Sequence, residues 1–592
     1  MTAVFGLRRR ANWSYVLLLA CGVAMTVLYS FFAELRVPAA PNEAVGIMQR
    51  FGVIVALLFL FFIGAVLVLG KIIRRKNVAQ TSCLQAGMPA LPSRALAGSM
   101  TLIIGFAILF RLLLLPQTPF LSNDIYRYLW DAEVLQRGIN PYLYPPEASE
   151  LASLQDSAIY EKMSHKHVRT VYPPLLQSLF WLGAKFAAML ALNPIHALKA
   201  LWILIDLALI GVLAKVLAAY EIDSRWAMLY AWHPLAVIEI ASNGHTDGVG
   251  AFCLLAALLM LKRERHVASA IFLAFGFLVK FVTALLVPFV FLFSRNADKP
   301  QPKGKFPTDR KTQRMRFDQL GSSIRWKKTL FFLLRFNSKE IEEEDKKLNW
   351  RFASAFFAVL LLAYLPFISA GENLFSGLSV YSAKWRFNDA LFSLIYAPVE
   401  KFLPDWLVIK LMIPRSWEML PETLVTRRID LALLLVKAAM AVVFGLIYLR
   451  MLRNMMRQTH NERVSHWPQL TLGLLAAFFL LSPTFQPWYM LWLLPLLCIA
   501  HNADAPQPKR NSSTDGKTQL VTLLNKLGRT LRARFPAYLW ALSFTVFLSY
   551  WVLHAYWHEG IWQEQSWVKW VEYGLPGVIF LLPIKSHDDE SS

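Results

Sequence analysis

Cysteine is scarce: four residues (Cys21, Cys83, Cys253, Cys498) in a chain of 592, too few and too scattered for a disulfide framework. Three of them fall in apolar runs, where a free thiol packs as a small hydrophobe. Charge is scarce as well, 17% of residues against 56% hydrophobic ones, with a mean hydropathy of +0.42. A soluble domain of this length could not hide so much apolar surface without splitting into several cores. That excludes an ordinary water-soluble enzyme. Acidic residues are the rarer sign, 39 against 61 basic, for a net charge of +22. The excess Lys and Arg sit mostly in the connections between apolar runs, as a positive-inside bias requires. Topology accounts for the charge, and no nucleic-acid partner is expected.

Apolar runs long enough to cross about 30 Å of hydrocarbon recur along the whole chain. The expected spans are 13–32, 51–71, 96–116, 173–191, 198–219, 226–241, 247–262, a broken pair within 267–294, 350–369, 428–450, 467–482, 486–500, 535–553 and 570–584. The fold class is therefore all-α, a polytopic membrane helix bundle of about 13 to 15 membrane segments with external interfacial helices. Arg8, Arg9 and Arg10 precede the first run, which is long for a signal peptide and is taken as a membrane helix. The basic stretches 71–76, 262–265, 295–347, 450–457 and 509–534 fall inside, and the loops 33–50, 117–172, 370–427, 483–485 and 554–569 outside. From an external Tyr172 to an internal Lys262 the number of crossings must be odd, yet four apolar segments intervene. One of them, within 173–219, should be short or re-entrant, and 267–294 should dip in and return near Lys280.

The chain divides into two N-terminal helices and a linker (1–95), a membrane core with an external loop (96–294), a basic loop (295–349), further membrane helices (350–500), a second basic linker (501–534) and C-terminal helices (535–592). The two basic linkers share a short repeat, Asn296-Ala297-Asp298 with Pro300-Gln301-Pro302-Lys303 recurring as Asn502-Ala503-Asp504 with Pro506-Gln507-Pro508-Lys509. The flanking helices do not repeat, so this is duplicated linker sequence.

The external loops carry the functional signal. Ser122-Asn123-Asp124-Ile125-Tyr126-Arg127-Tyr128-Leu129-Trp130-Asp131 starts just beyond the third helix, followed by Asn140-Pro141-Tyr142 and Pro145-Pro146. Asp124 then sits at the membrane boundary, where an acid meets both a lipid-borne headgroup and a water-borne acceptor. If 123–137 is helical, Asp124 and Asp131 share a face about 10 Å apart along the axis. The plainer reading has Asp124 near a helix start and Tyr126, Tyr128 and Trp130 as an interfacial aromatic belt. Lys280 is a cation among apolar neighbours, costly unless partnered or snorkelling. Asn243, His245 and Asp247 form a polar turn between two apolar helices, suited to a sugar contact or to simple helix capping.

Taken as an ordered set, these strings resemble the GT-C glycosyltransferases, in particular the polyprenyl-phosphate-mannose-dependent mannosyltransferases. Tyr172-Pro173-Pro174, Trp232-His233-Pro234-Leu235, Asn243-Gly244-His245-Thr246-Asp247, Lys280 and Ser482-Pro483-Thr484-Phe485-Gln486-Pro487-Trp488-Tyr489 follow in the family's order, over roughly residues 96 to 500. Two helices precede that region, and Trp130-Asp131-Ala132 stands where relatives often have Asp-Gly. The resemblance implies transfer of a hexose, mannose above others, from a polyprenyl-phosphate donor to a glycan, glycolipid or protein acceptor on the non-cytoplasmic face. It implies no cofactor and no metal. The expected catalytic residues are Asp124 and Asp131; Arg127, Lys280, Lys384 and Arg386 are candidates for the donor phosphate. Tyr126, Asn243, His245, Asp247, Gln486, Trp488 and Tyr489 are candidates for sugar or acceptor contact. Membrane lipid is the expected surrounding, and the missing ER-retention ending favours a bacterial plasma membrane with an external active side. The rival from another class is a transporter or flippase of lipid-linked sugars, which predicts repeat symmetry among the membrane helices.

Overall fold

The computed structural model describes residues 2–85, 94–293, 350–413, 421–500 and 534–581. The basic loop 295–349, nearly all of the linker 501–534 and the short repeat they share lie outside the described residues. Fifteen helices carry the description: α1 (Thr2–Ala33), α2 (Ala44–Gln85), α3 (Arg94–Leu114), α4 (Asp124–Gln136), α5 (Pro174–Met189), α6 (Pro194–Ala219), α7 (Asp247–Lys262), α8 (His266–Phe277), α9 (Trp350–Tyr364), α10 (Ala390–Phe402), α11 (Asp405–Met412), α12 (Pro421–Met456), α13 (His460–Leu481), α14 (Met490–Ala500) and α15 (Ser566–Leu581). Among the described residues the β pairing is a single bridge, Phe387 with Thr484. The all-α membrane bundle expected from the apolar runs is what is seen.

Among the described residues seven helices are long and apolar enough to cross a membrane: Trp13–Ala33, Pro41–Arg75, Pro194–Ala219, Trp350–Lys384, Glu422–Met456, His460–Leu481 and Arg534–Glu559. Four shorter apolar helices, Gly98–Leu114, His266–Phe277, Phe281–Leu292 and Pro487–Ala500, join them. Several of the apolar runs are not continuous helices. Residues 224–242 break into a 3₁₀ turn, two single-turn helices and a π-helical stretch, Ile238–Ser242. Apolar side chains such as Leu67, Leu204 and Leu446 remain 64–65% exposed, as lipid-facing positions do. In contrast α7 is buried almost all round, packed by α6, α8 and α14, and is the axis of the bundle.

The odd crossing is resolved at α5. This helix packs on α4 and turns straight into α6 through Asn193, whose side chain accepts from the backbone N–H groups of Ile195 and His196. Early in α6, Lys199 Nζ donates to the carbonyls of Leu114 and Gln117 at 2.8 and 2.6 Å, the end of α3 from which the loop 117–172 departs. Both ends of α5 therefore stay on that loop's side. At the opposite end of α6 the Tyr220 ring lies 4.8 Å from Lys262 Nζ, so α6 and α7 both end there. The chain also reverses near Lys280: Thr283 Oγ1 donates to the Leu273 carbonyl at 3.0 Å, back alongside α8.

A buried ion pair ties the core together. Arg111 Nε of α3 donates to Asp206 Oδ2 of α6 at 2.5 Å, and Arg111 Nη1 donates to the carbonyls of Ala107 and Ala231 at 2.9 and 2.8 Å. Tyr230 OH donates to the other Asp206 oxygen at 2.5 Å. Both charged side chains are at most 1% exposed, so neither can fall back on water. Arg111→Met is expected to cost roughly 3–5 kcal/mol by stranding Asp206, and Arg111→Met with Asp206→Leu to recover much of it. Thermal unfolding of detergent-purified protein, followed by size-exclusion monodispersity, checks the order parent, double variant, single variant.

Candidate active site

Helix α4 opens at Asp124 because Ser122 Oγ accepts from its backbone N–H at 3.3 Å. Asn123, the residue before it, spends its side chain elsewhere, donating to Ser164 Oγ at 2.6 Å and to the Lys162 carbonyl at 3.2 Å. Asp124 is thus the first helical residue, its carboxylate left open at the helix N-terminus with a side-chain exposure of 36%. Its Oδ2 lies 3.8 Å from His245 Nδ1.

His245 is delivered by the polar turn between the π-helical stretch and α7. Gly244 has φ +76°, a left-handed conformation that favours glycine, and a Cβ there would meet Ile125 Cδ1 at 2.8 Å. The His245 N–H donates to the Glu239 carbonyl at 2.9 Å. Its ring stacks on Trp488 with centroids 3.8 Å apart and an 18° interplanar angle. Nε2 lies 3.5 Å from Glu239 Oε2.

Beside it Asp247 begins α7, where the helix N-terminus favours an anion. Asp247 Oδ1 accepts from Lys280 Nζ and from Trp492 Nε1, each at 2.7 Å. Trp492 comes so close to α7 at Gly250 that a Cβ there would overlap its ring. Lys280 Nζ also lies 3.7 Å from the centre of the Tyr489 ring, a cation–π contact. Tyr489 OH pairs with Tyr381 OH at 2.8 Å. Asp124, His245, Asp247, Lys280, Trp488 and Tyr489 thus converge from four separate stretches of sequence. Gln486 caps the short 3₁₀ turn that carries Trp488 and Tyr489 and is half-buried.

The other candidates lie elsewhere. Asp131 is buried and saturated by Arg127 Nε at 2.9 Å, Thr170 Oγ1 at 2.5 Å and Gln177 Nε2 at 3.0 Å, holding α4, the loop and α5 together. Arg127 is spent on that bond and on the Val168 carbonyl at 2.9 Å. Tyr126 is buried with Lys162 Nζ 5.7 Å from its ring centre. Arg386 pairs with Asp389 at 2.9 Å and lies 3.8 Å from the Tyr396 ring centre, while Lys384 is exposed at the end of the Ser376–Lys384 helix. Asn243 Nδ2 donates to Glu239 Oε2 at 2.9 Å, one layer beneath His245.

Glu239, Trp492 and Tyr550 belong to the cluster and escape the sequence reading. Only Glu239 offers a signal there, as an acid inside an apolar run. The cluster's electrostatics favour a proton acceptor at Asp124. Burial pushes its pKa up to about 6, Lys280 opposes the rise, Asp247 adds to it and Arg127 opposes it. Burial and then Lys280 hold the His245 imidazole well below the usual histidine range, so it is neutral at pH 7. Among the described residues no group of three or more His, Cys, Asp or Glu is arranged to hold a metal ion.

Residues 16–296 match the model of a family described as alpha-(1->6)-mannopyranosyltransferase, N-terminal domain. Alpha-(1->6)-mannopyranosyltransferase A of Corynebacterium glutamicum is 25% identical over 239 residues, 39% of this chain and 44% of that protein. The chain thus matches less than half the length of that curated relative. No solved structure matches. The resemblance to GT-C mannosyltransferases drawn from the loop motifs is met by both matches, and the family match takes in the two helices that precede the motifs.

A carboxyl with a pKa raised to about 6 stays protonated, and so reactive toward a water-soluble carbodiimide, at pH values where ordinary aspartates do not react. Labelling of Asp124, mapped by mass spectrometry, is expected to fall with a midpoint near pH 6 as pH rises. In Lys280→Met, where the charge opposing the rise is gone, the midpoint moves further up. A midpoint near 4 in both proteins contradicts the assignment.

Proposed function

We propose that the chain is an integral membrane glycosyltransferase that moves mannose from a polyprenyl-phosphate donor to a glycan or glycolipid acceptor, working at the non-cytoplasmic face of a bacterial plasma membrane. The observation that carries the reading is the meeting of Asp124 with His245, and of Lys280 with Asp247 and Tyr489, at the loop end of broken membrane helices. An acid, a cation and an aromatic wall are what transfer from a lipid phosphate requires, and the matched relatives are mannosyltransferases by description.

In this reading the acceptor hydroxyl approaches Asp124, whose pKa of about 6 leaves it mostly ionised at pH 7 yet basic enough to take a proton. The acceptor oxygen attacks the anomeric carbon as the bond to phosphate oxygen breaks, through an oxocarbenium-like transition state. Direct attack inverts the anomeric configuration. Lys280 Nζ supplies positive charge to the departing phosphate, and Asp247 and Tyr489 hold that ammonium in place at membrane depth. Trp488 and Tyr489 offer flat faces for a sugar ring or isoprenoid. Arg127 and Arg386 are committed to Asp131 and Asp389, which leaves Lys280 as the phosphate ligand in this scheme. No metal or other cofactor is called for.

The test is transfer of radiolabelled mannose from polyprenyl-phosphate-mannose in membranes expressing the chain. Asp124→Asn is expected to lower kcat by about a hundred-fold to ten-thousand-fold at equal protein level. Lys280→Met is expected to raise the donor KM roughly 10- to 100-fold, the worth of a hydrogen bond to a charged group. Equal rates in parent and Asp124→Asn remove Asp124 from the chemistry. No transfer by the parent from any of several lipid-phosphate sugars moves the reading to a transporter.

A further inference from the structure

Glu239 lies fully buried in the π-helical stretch, and its hydrogen-bond partners are neutral donors. Tyr550 OH reaches its two oxygens at 2.9 and 3.0 Å. Asn243 Nδ2 donates to Oε2 at 2.9 Å. An acid at such depth is costly unless it serves a purpose, and side chains from two segments about 310 residues apart in the chain converge on it. One direction remains, toward His245 Nε2 at 3.5 Å, a buried atom that makes no hydrogen bond of its own. The imidazole is clamped face-on by Trp488 and turns its other nitrogen, Nδ1, to Asp124 at 3.8 Å. The ring therefore bridges a buried acid held by fixed donors and the open carboxylate of Asp124.

We propose that Glu239 is a positioning residue: it accepts the Nε2–H of His245 and so fixes the tautomer in which Nδ1 presents its lone pair to Asp124. The inference rests on the mannosyl-transfer reading above. As the acceptor oxygen bonds to the anomeric carbon, the carbon–oxygen bond to phosphate breaks and polyprenyl phosphate leaves with the bonding pair. The hydroxyl proton passes to Asp124 Oδ2, and the His245 Nδ1 lone pair accepts the hydrogen bond of the carboxylic acid so formed. Both contacts of the ring, 3.5 and 3.8 Å without substrate, tighten in this step, as catalytic hydrogen bonds commonly do.

The tautomer can be read directly by solid-state nitrogen NMR of the full chain in proteoliposomes with isotope-labelled histidine, the His245 resonances being identified by their loss in His245→Gln. The expected result is a protonated Nε2 and an unprotonated Nδ1 in the parent, changed in Glu239→Leu. A protonated Nδ1 in the parent, or an unchanged His245 signal in the variant, overturns the proposal whether or not the protein transfers mannose. Should Glu239→Leu not fold, Glu239→Gln, which keeps the size of the side chain but replaces one acceptor oxygen with a donor, takes its place. In the transfer assay Glu239→Gln is expected to lower kcat about 100-fold with donor KM unchanged, a split that loosened packing alone would not produce. A folded Glu239→Gln protein with parental kcat refutes the positioning role and leaves the transferase reading standing. Absence of transfer by the parent sinks that reading, and the His245 resonances then still decide which tautomer Glu239 imposes.

Discussion

The bond pair at Asp247 is the contact on which the centre of this protein depends. One carboxylate oxygen takes both Lys280 Nζ and Trp492 Nε1 at 2.7 Å, so the start of α7, the reversal after α8 and the first turn of α14 are fixed relative to one another. A lysine at membrane depth needs a partner, and an irregular backbone there needs protein around it. Asp247 meets the first requirement and thereby permits the second. The helices α8 and α14 can stop short of a full crossing because the polar groups at their ends have somewhere to go. The same packing brings the Tyr489 ring against Lys280 and the Trp488 ring against His245.

The helical architecture around this contact was largely legible in the sequence. Run length and the spread of Lys and Arg were enough for an all-α membrane bundle, because backbone in lipid has few other solutions. Counting crossings located the non-crossing segment within 173–219, and the reversal near Lys280 followed from basic flanks on both sides of 267–294. What hydropathy could not say is that α5 is the segment concerned. Its apolar run is long enough, and the deciding fact is tertiary: Gln177 Nε2 donates to Asp131 Oδ2 at 3.0 Å and to Thr170 Oγ1 at 2.9 Å, binding α5 to α4.

For the candidate site, residue type and loop position were legible and pairing was not. A spacing of seven puts Asp124 and Asp131 on one helix, yet it cannot tell an open acid from one consumed by Arg127, Thr170 and Gln177. Cations in external loops look alike in sequence. Lys280 reaches the cluster, whereas Arg386 answers to Asp389 and Tyr396 on a neighbouring surface. Trp492 and Tyr550 sit in runs whose hydropathy announces only a membrane helix, and their hydrogen bonds to Asp247 and Glu239 span about 245 and 311 residues of chain. No local pattern could carry that information. Glu239 was the exception, since a lone acid in an apolar run is itself a signal.

The division of labour among the carboxylates follows from their surroundings. Asp131, Asp247 and Glu239 are each at most 4% exposed and accept hydrogen bonds from fixed donors. Those bonds hold separate segments together, so these acids suit structure and orientation. Asp124 keeps 36% of its side chain open, and burial raises its proton affinity while Lys280 limits the rise. It is the acid that can meet a substrate hydroxyl and change protonation state without loosening the bundle. Lys280 fits the proposed role at the leaving group by the same reasoning: Asp247 and Tyr489 hold its ammonium, yet 30% of the side chain stays exposed.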